Sequence, residues 1–396
     1  MRRIAANYVF PVVSPPVRNG ILEVEENGRI AGVADPGSQM REMRRMEFHN
    51  GILVPGFVNC HNHLELSCLK GKIPRATGLP GFLKRVQKER LNVDESAVSR
   101  AIKEADQQMQ REGIRVCADV SNTGSSFPVK AESPLHYHTL IEIFGFTSRQ
   151  VEERHQKGRR LLQRLINEYH LAGNMVPHAG YSADIRVIRR ILSTMDQGRK
   201  VVSMHYRESS LWTEQWIRLL SRLWYLAGEG KMEMGHWKGL SLQKLARVWR
   251  EYAGDLQLLL VHNRFAGEKD VDYALRAFGQ PVWVFCPRSN LYIHKSLPGL
   301  PLFVQKGQSI ALGTDSLASN DSLSMLEELK VLQKYFPGIS FEQMLGWATH
   351  QGARALGVDH TYGSFGPGMH PGINLIKPFD FNHMRLLPES RVYPIS

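Results

Sequence analysis

The chain is poor in cysteine. Its four thiols, Cys60, Cys68, Cys117 and Cys286, stand far apart among 396 residues and form no Cys-x-x-Cys pair. A disulfide framework is not expected at this size, so they read as reduced thiols of a cytoplasmic protein. No apolar run approaches the ~20 residues that a membrane helix needs, so no membrane partner is expected. Low-complexity tracts and internal repeats are missing as well. The start, MRRIAANYVFPVV, sets two arginines before a short apolar stretch, but Pro11 interrupts it and no small-residue cleavage site follows. It reads as a first strand, not a signal peptide. Acidic residues are in deficit, 38 against 50 basic, for a net charge of +12. The basic residues are scattered, as in RRILSTMDQGRK and KRVQKERLN, and not gathered into an aromatic-laced stripe. No nucleic-acid partner is expected on that pattern.

What is plentiful is apolar sequence, 42% of the chain, enough for a large core. The length suits one large α/β domain with an accessory domain. Eight apolar or β-branched runs recur: GILVPGFV (51–58), RVCADV (115–120), YHTLIEIFGF (137–146), NMVPH (174–178), VVSMHY (201–206), QLLLVH (257–262), PVWVFC (281–286) and SIALGTD (309–315). Helical patterns lie between most of them. Val98, Ile102, Ala105 and Met109 keep helical spacing until Gly113. Ile185, Ile188, Leu192 and Met195 do the same after Ser182, a candidate N-cap. Eight strands alternating with helices predict an α/β fold, a (β/α)8 TIM-type barrel, over about 55–365. Residues 1–54, with RNG and ENGR turn signals, and the Gly/Pro-rich 366–396 are expected to form a small β-sandwich together.

Barrel enzymes keep their chemistry at the C-terminal ends of the strands. Here those ends carry His61 and His63, then His178, His205, His262 and Asp315. In PGFVNCHNHLELS (55–67), a strand would send Asn59, His61, His63 and Glu65 to one face. That face is either a polar strand end turned to water or half of a metal site.

The motifs PGFVNCHNHLELS, HAGYS, HYRES, VHN, CPRSN, GTDSLASNDSLS and ATHQGARALGVD…GSFGPG, in this order, resemble the amidohydrolase superfamily. The branch is that of cytosine, guanine, S-adenosylhomocysteine and aminofutalosine deaminases and triazine chlorohydrolases. The resemblance implies a divalent ion, Zn²⁺ with Fe²⁺ as the alternative, held by His61, His63, His205 and Asp315. Binuclear relatives place a modified lysine where this chain has His178, so one ion is expected. By the same resemblance Asp315 accepts a proton from the attacking water, Glu208 shuttles protons, and His262 orients the nucleophile. His178, Glu65 and Asn290 are expected to meet the substrate. Lys70, Lys72, Arg75, Arg264 and Arg288 follow strand ends, and Arg264 and Arg288 are candidate partners for a substrate carboxylate, as in aminofutalosine-type substrates.

The expected reaction is hydrolytic deamination of a purine, pyrimidine, pterin or nucleoside-like heterocycle. Chlorohydrolysis, cyclic-amide hydrolysis or a catalytically silent scaffold are the alternatives. The resemblance also implies a homo-oligomer, a dimer. PGMHPGINLI departs from the family's usual return strand, which puts contacts of the small domain in question and not the site. The interval 206–261, rich in tryptophan, is either a capping insertion or an extended barrel helix.

Overall fold

The computed structural model describes residues 1–37, 46–145, 147–195, 200–210, 213, 240–252 and 255–395. The interval 206–261, read as a capping insertion or an extended barrel helix, therefore lies in large part outside the described residues. The strands, in chain order, are β1 (Arg2–Val9), β2 (Val17–Arg18), β3 (Ile21–Val24), β4 (Ile30–Ala34), β5 (Met46–Pro55), β6 (Phe57–Asn62), β7 (Ile114–Ser121), β8 (His136–Ile143), β9 (Ala172–Pro177), β10 (Lys200–Tyr206), β11 (Leu256–His262), β12 (Val282–Phe285), β13 (Ser309–Leu312), β14 (Ile373–Asp380) and β15 (Arg385–Ile395).

Both ends of the chain meet in one mixed sheet, ordered β15-β14-β5-β1-β3-β4 with β2 paired to β1. The run 51–58 was expected as one strand, and the structure divides it. Ile52–Pro55 pair with β14, while Phe57 opens β6 in a different sheet. Gly56 makes the break, since a Cβ there would fall 2.3 Å from the Arg115 side chain and the Pro371 carbonyl. No larger residue fits where the chain changes sheets.

The eight strands from β6 to β13 all run parallel within two four-stranded sheets, β6-β7-β8-β9 and β10-β11-β12-β13. Helices connect them, as parallel strands require. Helix Glu95–Arg111 is capped by Asp94, whose carboxylate accepts the Ala97 N–H. It buries Ile102, Ala105 and Met109 as the spacing predicts. Helix Ile185–Leu192 corrects one expectation: Asp184, not Ser182, caps it, accepting from the Arg186 N–H. Ser182 is turned to the His178 ring instead.

The two parallel sheets touch at both margins. The His205 N–H donates to the His178 carbonyl at 2.9 Å, and the Asp315 N–H to the His61 carbonyl at 3.0 Å. Gly313 permits the second approach, because a Cβ would lie 2.9 Å from the His61 backbone. One buried apolar cluster also takes a side chain from each strand: Val58, Val116, Leu140, Val176, Val201, Val261, Val284 and Ala311. All four cysteines are free, and burial pushes the Cys60 thiol up to about 12, as expected of an inert core thiol. Among the described residues no helix is long and apolar enough to cross a membrane.

Candidate active site

β6 stops at Asn62. His63 follows with φ −135° and ψ 83°, and Leu64–Leu69 wind into a 3₁₀ turn. The expected common face of Asn59, His61, His63 and Glu65 is therefore not formed. Asn59 bonds the Thr314 hydroxyl at 2.7 Å. Glu65 turns to the end of β7, where it accepts from the Asn122 and Thr123 N–H groups and the Thr123 hydroxyl. Its carboxylate is an anchor between two loops.

The two histidines of the motif still meet, with Nε2 atoms 3.1 Å apart. The Nε2 of His205, from the far sheet, lies 3.2 Å from that of His61. Asp315 Oδ1 stands 3.8 Å from His61 Nε2 and 3.6 Å from His63 Nε2. Nitrogens bound to one ion at about 2.0–2.1 Å would be about 2.9–3.4 Å apart for angles between square and tetrahedral. The His61–His63 and His61–His205 distances fit that spacing. Burial, and the neighbouring rings, hold the pKa of His61 and of His205 well below the ordinary range. Both are thus neutral, as ligation requires. His205 Nδ1 faces the His178 carbonyl at 3.0 Å, which leaves Nε2 for the cluster.

Asp315 is held in a left-handed backbone conformation, φ 55°. Ser289 and Ser319 donate their hydroxyls to its Oδ2 at 2.6 and 2.7 Å, so Oδ1 faces the histidines. His262, at the end of β11, has φ 74°, and Asn263 after it has φ 56°. Such conformations are costly for side-chain-bearing residues and need outside support. Asn263 supplies it by donating Nδ2 to the Leu260 and Val284 carbonyls at 2.7 and 3.1 Å.

Glu208 is buried, with Oε1 3.8 Å from His262 Nε2. The Tyr181 hydroxyl donates to its Oε2 at 3.4 Å. Asn290 is 1% exposed and interacts with the His262 ring. The His178 ring lies 4.9 Å from that of His205, and burial drives its pKa down to about 3, so it is neutral.

The expected basic residues find partners elsewhere. Arg288 bonds Ser322 at 2.7 Å and Asp321 at 3.1 Å. Asp321 also receives Arg75, at 2.6 Å. Arg264 donates Nε to Ser296 at 2.7 Å and stacks over Phe265. In this arrangement Arg288 is tied to the segment that follows β13.

The structure adds residues that sequence reasoning missed. Glu142, at the end of β8, stands 3.8 Å from His205 Nδ1 and accepts from Asn122 Nδ2. Arg154 stacks 3.7 Å over Phe144, whose ring neighbours His178. Ser289 and Ser319 lay inside the quoted CPRSN and GTDSLASN motifs, but a serine carries no distinguishing signal of its own.

With this geometry in place, comparison decides the family: the amidohydrolase family matches residues 52–390. The chain belongs to it. This amidohydrolase is 25% identical over 386 residues to a 5-methylthioadenosine/S-adenosylhomocysteine deaminase of Teredinibacter turnerae, across 91% of this chain and 79% of that one. Two solved structures share its fold. Helicobacter pylori aminofutalosine deaminase in complex with methylthio-coformycin superposes with a TM-score of 0.74 at 19% identity, covering 96% of this chain and 93% of that one. A zinc-bound adenosine deaminase from Xanthomonas campestris gives 0.70 at 21%, covering 94% and 84%. The expectation of a hydrolase acting on carbon–nitrogen bonds is borne out by these relatives.

Proposed function

We propose that this amidohydrolase is a metal-dependent aminohydrolase that removes the exocyclic amine of an adenine-type nucleoside. The observation that carries it is the convergence of His61, His63, His205 and Asp315, with Glu208 and His262 alongside. We also infer that the two parallel sheets are halves of one (β/α)8 barrel and that the terminal sheet belongs to a β-sandwich domain. The contacts at both sheet margins and the shared apolar cluster support the barrel, and the pairing of both chain ends in one sheet supports the terminal domain.

His61, His63, His205 and Asp315 would hold one divalent ion, Zn²⁺ by the donor set, with Fe²⁺ also compatible. Bound there, such an ion supplies a water of lowered pKa. The residues do the rest. Asp315 Oδ1 is oriented to accept a proton, because Oδ2 is already occupied by two serine hydroxyls. Glu208 delivers protons to the ring nitrogen and then to the departing amine. His262 orients the attacking water and stabilises the charge that builds as its oxygen bonds to the ring carbon. The carbon–nitrogen bond then breaks, ammonia leaves and a carbonyl remains; no oxidant or reductant is consumed.

The substrate class rests on the relatives named for 5-methylthioadenosine/S-adenosylhomocysteine and for adenosine. The test is ammonia release by Zn²⁺-loaded protein across adenosine, 5′-methylthioadenosine, S-adenosylhomocysteine, free aminopurines, aminopyrimidines and pterins, with Asp315→Asn as blank. Release from the adenine nucleosides alone supports the proposal. Release only from another ring replaces the substrate class, and silence from metal-replete protein overturns deamination.

A further inference from the structure

We propose that Asp119 and Lys130 form a buried positioning pair that sets the place of His63. Asp119 lies on β7 and Lys130 on helix Phe127–Glu132, and both side chains are 0% exposed. Asp119 Oδ1 accepts from Asn62 Nδ2 at 2.9 Å and from the Leu64 N–H at 2.8 Å. These residues flank His63 on either side. Asp119 Oδ2 meets Lys130 Nζ at 2.6 Å. The ammonium also donates to Ser121 Oγ at 3.1 Å and Thr139 Oγ1 at 3.2 Å, so its three protons have three acceptors.

His63 needs such a device because no strand holds it. The ladder of β6 ends one residue earlier, and the chain passes into a 3₁₀ turn. The end of β7 grips this turn twice. Asp119 takes Asn62 and Leu64, and Glu65 reaches back to the N–H groups of Asn122 and Thr123. His63 is caught between the two grips.

Stability alone does not account for the pair. Removing two charges from water costs about as much as their attraction returns, and apolar side chains of similar volume often serve as well. An apolar pair, however, cannot present a fixed acceptor to the N–H groups beside His63. Lys130, 2.6 Å from Oδ2, keeps the Asp119 carboxylate aimed. Groups that orient metal-binding histidines typically change metal affinity about 10–100-fold when removed.

This inference rests on His63 being a metal ligand, and the experiment separates the two. Metal-stripped wild type and Lys130→Met are titrated with Co²⁺, reading the visible absorption bands, with Zn²⁺ competition for affinity. Circular dichroism and thermal unfolding of the stripped proteins report the fold. A folded K130M that binds Co²⁺ at least tenfold more weakly, with displaced bands, supports positioning. A folded K130M with wild-type affinity and spectrum overturns it. Should K130M not fold, Asn62→Ala removes one of the two hydrogen bonds to Asp119 Oδ1 without stranding a buried charge. It is expected to weaken Co²⁺ binding several-fold, and an unchanged affinity and spectrum overturn the proposal. Wild-type protein that binds no Co²⁺ would defeat the ligand assignment itself.

Discussion

The two parallel sheets deliver their functional side chains by different means. The β6–β9 sheet sets His61 and His63 against a desolvated ion pair, Asp119–Lys130, with a second buried carboxylate, Glu65, as a brace. The β10–β13 sheet sets His262 and Asp315 with neutral groups: the Ser289 and Ser319 hydroxyls and the Asn263 and Asn320 carboxamides. A buried carboxyl brace there, Glu328, accepts from the Arg288 N–H and from Asn320 Nδ2 and forms no salt bridge among the described residues. A charge pair is an all-or-none support, because either partner alone is stranded in the core. Hydroxyls and amides share their load.

The comparison first has to survive loss of the chemistry itself, which neither support supplies. Glu208→Gln keeps the volume and removes the proposed proton carrier. It should cut kcat by about 10²–10⁴-fold while leaving metal content and unfolding temperature near wild type. Normal turnover would strip Glu208 of its role.

Next comes the charged support. Asp119→Ala leaves the Lys130 ammonium buried beside two hydroxyls only. Breaking such a pair from one side costs about 3–5 kcal/mol. Urea unfolding of the metal-free protein measures it. A loss under about 1 kcal/mol would mean that the pair is as forgiving as the hydroxyls opposite.

The brace at Glu328 is expected to show itself through pH. Burial, the largest influence, raises this carboxyl from its ordinary 4.5 to about 8. The folded state then holds a proton that the unfolded chain releases between those values. Stability from this group is complete below about 4.5 and is lost as pH rises through about 8. Glu328→Gln cannot ionise, so the fall in unfolding free energy across that window should be shallower than in wild type. Gln also turns an N–H toward one of two donors, which lowers the level at acid pH by about 1 kcal/mol. Parallel curves for the two proteins would show that Glu328 does not titrate there.

Much of this organisation was legible in the sequence, and the failures have physical causes. The eight strands were readable because buried parallel strands are continuous apolar runs. His61 and His63 stood out by spacing, yet Glu65 was misplaced. Period-two reasoning was carried past Asn62, where the chain leaves the sheet. Ser182 looked like a cap, but Asp184 lies closer to the helix start and competes better. Lys130 was invisible because a lysine in a short amphipathic stretch is ordinarily solvent-exposed. Glu142 hid inside an apolar strand run, and Arg154 in a helix full of arginines. Arg288 was read as available because its partner, Asp321, lies 33 residues away in the sequence.

The smallest expected effects belong to Ser289 and Ser319, and they bear most directly on the difference between the two supports. Both hydroxyls lie within hydrogen-bond distance of Asp315 Oδ2, at 2.6 and 2.7 Å, and 3.0 Å from each other. In Ser289→Ala or Ser319→Ala the other hydroxyl still satisfies that oxygen. Each single change should therefore cost about 1 kcal/mol, below the ~1.5–3 kcal/mol of a lone hydrogen bond to a charged group. The double variant leaves a buried carboxylate oxygen without a donor, and its cost should exceed the sum of the singles by at least ~1 kcal/mol. Oδ2 would also be freed to compete with Oδ1 for the histidine cluster, so Co²⁺ affinity should fall in the double variant and hold in the singles. Urea unfolding and Co²⁺ titration of the four proteins complete the cycle. Strict additivity would mean that the hydroxyls act independently. The neutral support would then not share its load, and the two sheets would differ in charge alone.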